Sequence, residues 1–89
     1  MEISYTELAQ RHVELWRKSG DTASQRKISQ LLSDILKHPE IGLGKPEQLK
    51  GVLSGRWSRR INQKDRIIYR IDKENDTVLV YSLKGHYNL

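Results

Sequence analysis

The sequence predicts an α+β fold, an N-terminal helical hairpin packed on one face of a small antiparallel β-sheet. Three observations carry that expectation. Residues 4–38 hold two apolar stripes at helical spacing. Residues 55–83 hold three segments rich in β-branched and aromatic residues, separated by polar turns. Between them "EIGLGKPEQLKG", residues 40–51, is rich in Gly and Pro and is expected to be a connecting loop or short turn. Helices first and strands later point to α+β rather than alternating α/β.

The elements follow in order. "SYTE" has the form of a capping box, with Ser4 accepting from the Glu7 amide. Leu8, His12, Leu15 and Trp16 then share helical spacing, and Gly20 ends the run. A second box, "TASQ", opens at Thr22. Ile28, Leu31, Leu32, Ile35 and Leu36 form one apolar stripe after it. Pro39 stops that helix, because the residue before a proline is pushed out of the α region. The strands are expected in "GRWSRRI", "RIIYRI" and "TVLVYSL", with "NQKD" and "DKENDT" as turns, and "EIS" at the start offers a short extra strand. Alternation places Ile67, Tyr69 and Ile71 on one core-facing side, and Trp57 is expected in the core.

With 89 residues the chain is expected to be a single domain, 1–89, burying about 60–65% of its unfolded surface. It has no cysteine, which excludes a disulfide frame and a zinc–thiolate site and suits a reducing compartment. "MEISYTELAQ" lacks the basic and apolar regions of a secretory leader. No apolar run approaches the roughly 20 residues of a membrane span. The expectation is a soluble, cytoplasmic protein with no membrane partner.

Charge is unevenly placed. Residues 45–70 carry eight basic side chains (Lys45, Lys50, Arg56, Arg59, Arg60, Lys64, Arg66 and Arg70) against Glu47 and Asp65. The remaining chain carries eight basic and nine acidic residues, so the whole excess of the +5 net charge lies in one segment. Such clustering suits a polyanion, nucleic acid above all. A solvated basic face is the plainer alternative.

In that segment "GLGKPEQLKGVLSGRWSRRINQKDRIIYRI", followed by "VYSLKGHY", resembles the YoeB/Txe group of bacterial toxins within the RelE-like superfamily. The likeness runs motif by motif through the second half of the chain and by pattern only through the helices. It implies a type II toxin that cleaves mRNA in the ribosomal A site, with mRNA and the 70S ribosome (16S rRNA) as partners. It also implies a YefM-like antitoxin and admits a homodimer. No cofactor or metal is implied.

Metal-free RNA cleavage uses the 2′-hydroxyl as nucleophile, with a general base, a general acid and cations around the phosphorane. As residue chemistry alone, Glu47 between Lys45 and Lys50 reads as a surface ion pair worth about 0–1 kcal/mol. The resemblance makes it the general base. It makes His86 the general acid, suited to donating a proton near neutral pH, and Tyr87 a substrate-positioning residue able to stack on a base. Arg60 and Arg66 correspond to a phosphate-binding pair, whose planar forks grip two oxygens at once. Lys50 adds charge beside Glu47. Arg59, on the opposite side of its strand from Arg60, is assigned to ribosomal RNA contact or to packing, and Arg56 and Arg70 to general RNA or solvent contact. His12 and His38 are expected to be structural.

The chain departs from the group in having Asp65 before Arg66, where many members have His, and in carrying Asn88 and Leu89 beyond the His-Tyr pair. A shared phosphate site requires Arg60 and Arg66 on one face, so residues 61–65 are expected to form a five-residue connection or a bulge. Two other functions are weighed: a catalytically inactive RelE-like RNA- or ribosome-binding protein, and a single-strand binder stacking bases on Trp57, Tyr69 and Tyr81. The alternation that sends Tyr69 away from Arg66 counts against the latter. Codon preference, oligomeric state and the antitoxin's identity are not legible in the sequence.

Overall fold

The computed structural model describes residues 1–85. Strand β1 (Glu2–Tyr5) leads into helices α1 (Glu7–Lys18) and α2 (Thr22–Lys37). Strands β2 (Glu47–Gln48), β3 (Trp57–Arg60), β4 (Arg66–Asp72) and β5 (Thr77–Ser82) follow, with a short 3-10 turn at Gly51–Leu53. The sheet order is β1-β5-β4-β3-β2. Among the described residues no helix is long and apolar enough to cross a membrane.

The sheet is mixed, not purely antiparallel. β2 to β5 form an antiparallel meander, but β1 runs parallel to β5, with Glu2 opposite Thr77 and Tyr5 opposite Val80. A parallel pair needs a long crossover, and the helical hairpin supplies part of it. A second difference concerns residues 40–51. Part of the expected loop pairs as β2, with Glu47 opposite Ser58 and Gln48 opposite Trp57.

Both helices are capped within two residues of the expected boxes, but by different side chains. Ser4 is consumed by β1 pairing, and Thr6 caps α1 by accepting from the Ala9 amide at 3.1 Å. Asp21, not Thr22, caps α2 by accepting from the Ser24 amide at 3.0 Å. The buried face of α1 is also rotated from the expected stripe. Ala9 and Trp16 are buried with Val13 beside them, while Leu8 and Leu15 are exposed. The small Ala9 side chain lets the helix backbone come close to the sheet. On α2, Ile28, Leu31 and Ile35 are buried as the spacing predicts, with Leu32 at the margin and Leu36 exposed.

The helices cover one face of the sheet, which contributes Ile67, Tyr69, Val78, Val80 and Leu83 to the core. Strict alternation along β5 would turn Leu83 away from Val78 and Val80. It does not, because Ile68 pairs with Ser82 while Tyr69 pairs with Val80, leaving Tyr81 as the extra residue of a β-bulge. The bulge turns both Tyr81 and Ser82 to the open face and returns Leu83 to the core. Thr6 secures it: its amide donates to Val80 O at 3.0 Å and its hydroxyl donates to Tyr81 O at 2.9 Å.

Candidate functional site

The face not covered by helices carries the candidate side chains Glu47, Arg60 and Arg66. Glu47 lies opposite Ser58, Ser58 opposite Ile68, and Ile68 opposite Ser82, making one row across four strands. Ser58 and Ile68 are buried and form a low floor, while Glu47 is exposed at one end. Two residues along β3 and β4, Arg60 lies directly opposite Arg66. The two arginines therefore share the open face with Glu47.

That pairing rests on the five-residue connection 61–65, as expected. Asn62 builds it: its side-chain oxygen accepts from the amides of Lys64 and Asp65, both at 2.8 Å, while its Nδ2 donates to Ser24 on α2. The Ile61 amide donates to Asp65 O, closing the loop. Arg66 folds over it, with Nη1 donating to Asn62 O at 2.7 Å and Asp65 O at 3.0 Å. The guanidinium is thus oriented before any substrate arrives. Arg60 is exposed and borders a cavity of about 370 Å³ with Lys27 and Lys45, so this end of the face is strongly basic.

The chain beyond β5 is pinned against Arg66. Gly85 is held on both sides: its amide donates to Asp65 Oδ1 at 2.8 Å, and its carbonyl accepts from the Arg66 amide at 3.0 Å. Burial raises the Asp65 pKa, but the Gly85 amide, Asn62 and the nearby Lys84 and Lys64 outweigh it and hold the carboxyl below its ordinary value. Leu83 is gripped from α1, its amide donating to His12 Nδ1 at 3.0 Å and its carbonyl accepting from Trp16 Nε1 at 2.7 Å. Burial, reinforced by Lys84 and Arg11, lowers the His12 pKa and keeps that nitrogen an acceptor. Lys84 lies over the Trp16 ring at 4.1 Å. His86 and Tyr87, expected as acid and positioning residue, and the Asn88-Leu89 tail lie outside the described residues.

Arg59 has the other of its two expected roles. It is fully buried on the helix-covered face, which leaves it no surface for RNA. Its guanidinium donates to Asp34 at 2.6 Å, to Tyr69 Oη at 3.0 Å, and to the carbonyls of His38, Ile41 and Leu43. The Asp34 carboxyl is held below its ordinary pKa, first by the Arg59 bond and then by the Leu43 amide. Burial pushes the Tyr69 phenol up, and its hydroxyl donates to Pro39 O at 2.7 Å. Residues 38–44 thus wrap one cation. Gly44 must be glycine there: its φ is +79°, and a Cβ would lie 2.6 Å from Leu31 Cδ2.

Of the remaining expected residues, Lys50 is exposed just beyond β2, near Glu47 in sequence, and Arg70 is exposed. Trp57 is half-buried against the core, as expected. His38 ends α2 and lends its carbonyl to Arg59. Arg56 is not simply solvated, because it lies over the Tyr81 ring, 3.9 Å from the centroid. Sequence reasoning missed Ser58 as the floor and Asp65 as the anchor of Gly85. The alternation within "RWSRRI" carried a signal for Ser58, since it shares parity with Arg60. Asp65 had none, because its partner is 20 residues away. Among the described residues no cluster of three or more His, Asp or Glu is placed to hold a metal ion.

Comparison with known proteins identifies the family and the fold. Residues 5–87 match the model of the YoeB-like toxin of bacterial type II toxin–antitoxin systems. Toxin YoeB of Synechocystis sp. is 41% identical over 87 residues, 98% of each chain. Toxin YoeB of Streptomyces coelicolor is 37% identical over 98% of this chain and all of its own. Among solved structures, the YoeB/ParE toxin from Agrobacterium tumefaciens superposes with a TM-score of 0.91 at 34% identity, over 98% of this chain and 100% of that one. A heterotetrameric YoeB–YefM toxin–antitoxin complex from Staphylococcus aureus gives 0.80 at 33% identity, covering 96% and 95% of the two chains. A YoeB dimer from the same organism gives 0.81 at 32% identity, covering 98% of each.

Proposed function

This chain belongs to the YoeB-like toxins of bacterial type II toxin–antitoxin systems, and from that membership we propose that it is a ribosome-dependent endoribonuclease cleaving mRNA in the A site. The observation that carries the reading is the shared open face: Glu47 at one end of the row, Arg60 and Arg66 paired beside it, and Gly85 fastened between Asp65 and Arg66. His86 is the next residue in the sequence.

In the proposed reaction Glu47 takes the proton of the ribose 2′-hydroxyl. The oxygen attacks the adjacent phosphorus, and Arg66, with Arg60 and Lys50, holds the charge gathering on the phosphorane. The bond from phosphorus to the 5′-oxygen breaks, and His86 protonates that oxygen as it leaves. Tyr87 positions the substrate. The products are a 5′-hydroxyl and a 2′,3′-cyclic phosphate, or the 3′-phosphate that follows when water opens the cycle. The chemistry needs only these groups, so no metal ion held by the protein is expected to take part in the step.

The proposed partners are mRNA, the 70S ribosome with its 16S rRNA, and a YefM-like antitoxin in the cytoplasm, with a homodimer as a second assembly. An acidic antitoxin segment folding across the arginine face is the inhibitor this charge pattern suits, and its association rate is expected to fall as salt rises. The reading is tested by induced expression in bacteria. The wild-type chain is expected to arrest growth and cut mRNA, and the Glu47→Ala chain to do neither. Equal cleavage by both would remove Glu47 from the mechanism, and intact mRNA in the wild-type strain would end the nuclease reading.

A further inference from the structure

The open face continues past the candidate site into a second feature. A cavity of about 410 Å³ is lined by Leu8, Leu53, Arg56, Ile68, Tyr81 and Ser82, with Thr6 at its back. Ile68 and Ser82 are also the floor and end of the row that begins at Glu47. The cavity is therefore the direct extension of the surface over which the scissile phosphate is proposed to lie. Its walls are mostly apolar, with the hydroxyl residues Thr6 and Ser82 and one cation, Arg56, which lies over the Tyr81 ring 3.9 Å from its centroid.

The β-bulge builds this feature. Without the extra residue, Tyr81 and Ser82 would face opposite ways; with it, both face the cavity. Thr6 holds the bulge, its hydroxyl donating to the Tyr81 carbonyl at 2.9 Å. A bulge, a phenol ring and a stacked guanidinium on an apolar floor, next to phosphate-binding arginines, match one ligand chemistry. A nucleobase has a flat π-face that stacks on aromatic rings and guanidinium planes, and its phosphate on the neighbouring side is drawn to Arg60 and Arg66.

We propose that the cavity between Arg56, Tyr81, Leu53 and Ile68 is a nucleobase subsite, which receives one base of the mRNA codon adjoining the cleaved bond. It rests on the nuclease reading above and goes beyond it, naming where a base is held and which residues set the preference at that codon position. It also gives Leu8 and Leu53, half-exposed apolar residues outside the core, a use at the rim.

The test uses the full-length protein and 70S ribosomes programmed with mRNAs in which one A-site nucleotide at a time is abasic. For the wild-type chain, one abasic position is expected to slow cleavage about tenfold more than the others. Tyr81→Leu keeps apolar bulk and the main-chain bond to Thr6, and its melting temperature reports whether it folds. That variant, and Arg56→Ala, are expected to lose the position-specific penalty. Tyr81→Phe keeps the ring and is expected to keep the penalty. If the wild-type penalty persists unchanged in folded Tyr81→Leu and in Arg56→Ala, the base is held elsewhere and the subsite is overturned. If those variants cleave normal mRNA as the wild type does but fail to bind the acidic antitoxin, the cavity belongs to the antitoxin and the subsite is likewise overturned. If the wild-type chain leaves every mRNA intact, the nuclease reading itself falls and the subsite with it.

Discussion

Arg59 and Arg60 are neighbours in sequence and identical in chemistry, and the sheet sends them to opposite environments. Arg59 is fully buried beneath α2, its guanidinium donating to Asp34, Tyr69 and three carbonyls. Arg60 is exposed opposite Arg66 on the open face. One arginine organises the fold and the other is available to a ligand. A buried guanidinium is tolerated only when its donors are satisfied, and the loop 38–44 exists in its observed form to satisfy them. An exposed cation such as Arg60 contributes little to folding and becomes useful when an anion arrives.

The contrast can be broken most sharply from the open side. On the proposed mechanism, Glu47→Ala lowers mRNA cleavage by about 10²–10⁴-fold, while stability changes by less than about 0.5 kcal/mol, as for an exposed position. Cleavage on programmed ribosomes and urea denaturation of the same preparation check both halves. A variant that loses activity only by unfolding would move Glu47 into the structural class.

On the covered side the expectation reverses. Arg59→Met removes the cation paired with Asp34 and the donor to three carbonyls and is expected to cost about 3–5 kcal/mol. A chain of this length has roughly 4–13 kcal/mol in all, so the variant is expected to be largely unfolded at 37 °C. Arg60→Met is expected to stay within about 0.5 kcal/mol of wild type. Equal denaturation midpoints for the two variants would erase the distinction.

A smaller effect lies in the loop around Arg59. Gly44→Ala meets a positive φ and Leu31 Cδ2 at 2.6 Å, and is expected to cost about 1–3 kcal/mol. Gly55 also has a positive φ, but nothing lies within 4 Å of the position a Cβ would take. Gly55→Ala is therefore expected to cost less, through strain alone. Paired thermal melts separate the packing contribution from the backbone one.

The smallest expected effect is the pH dependence of the Asp34–Arg59 pair. The folded-state pKa of Asp34 is depressed, chiefly by the Arg59 bond. Its contribution to stability is therefore fully present above the unfolded-state value, about 3.9, and is lost as pH falls through the folded value. Stability followed by denaturation below pH 4 is expected to decline with a steeper slope in the wild type than in Asp34→Asn. Identical acid limbs would mean that the pair is electrostatically silent.

Much of this architecture was legible locally. The order of helices and strands, the α2 stripe of Ile28, Leu31 and Ile35, and the core face of Ile67 and Tyr69 all follow from spacing. So does the five-residue connection that aligns Arg60 with Arg66, once both are required on one face. Each depends on contacts within a turn or on the period of the element itself. The motifs carried the family, and comparison bears that out.

Tertiary structure decided the rest. Ser4 resembled a cap until β1 took its backbone into a parallel pair with β5, a partner more than 70 residues away. Nothing local in "TVLVYSL" marks Tyr81 as a bulge, because the bulge arises from pairing with β4 and from the Thr6 hydroxyl 75 residues upstream. Arg59 and Arg60 carry the same side chain, so composition cannot separate them. Strand parity separates their faces, but only the docking of α2 and the loop 38–44 decides which face is dry. Local periodicity determines which residues point together; whether that side meets protein or solvent depends on what the rest of the chain lays over it.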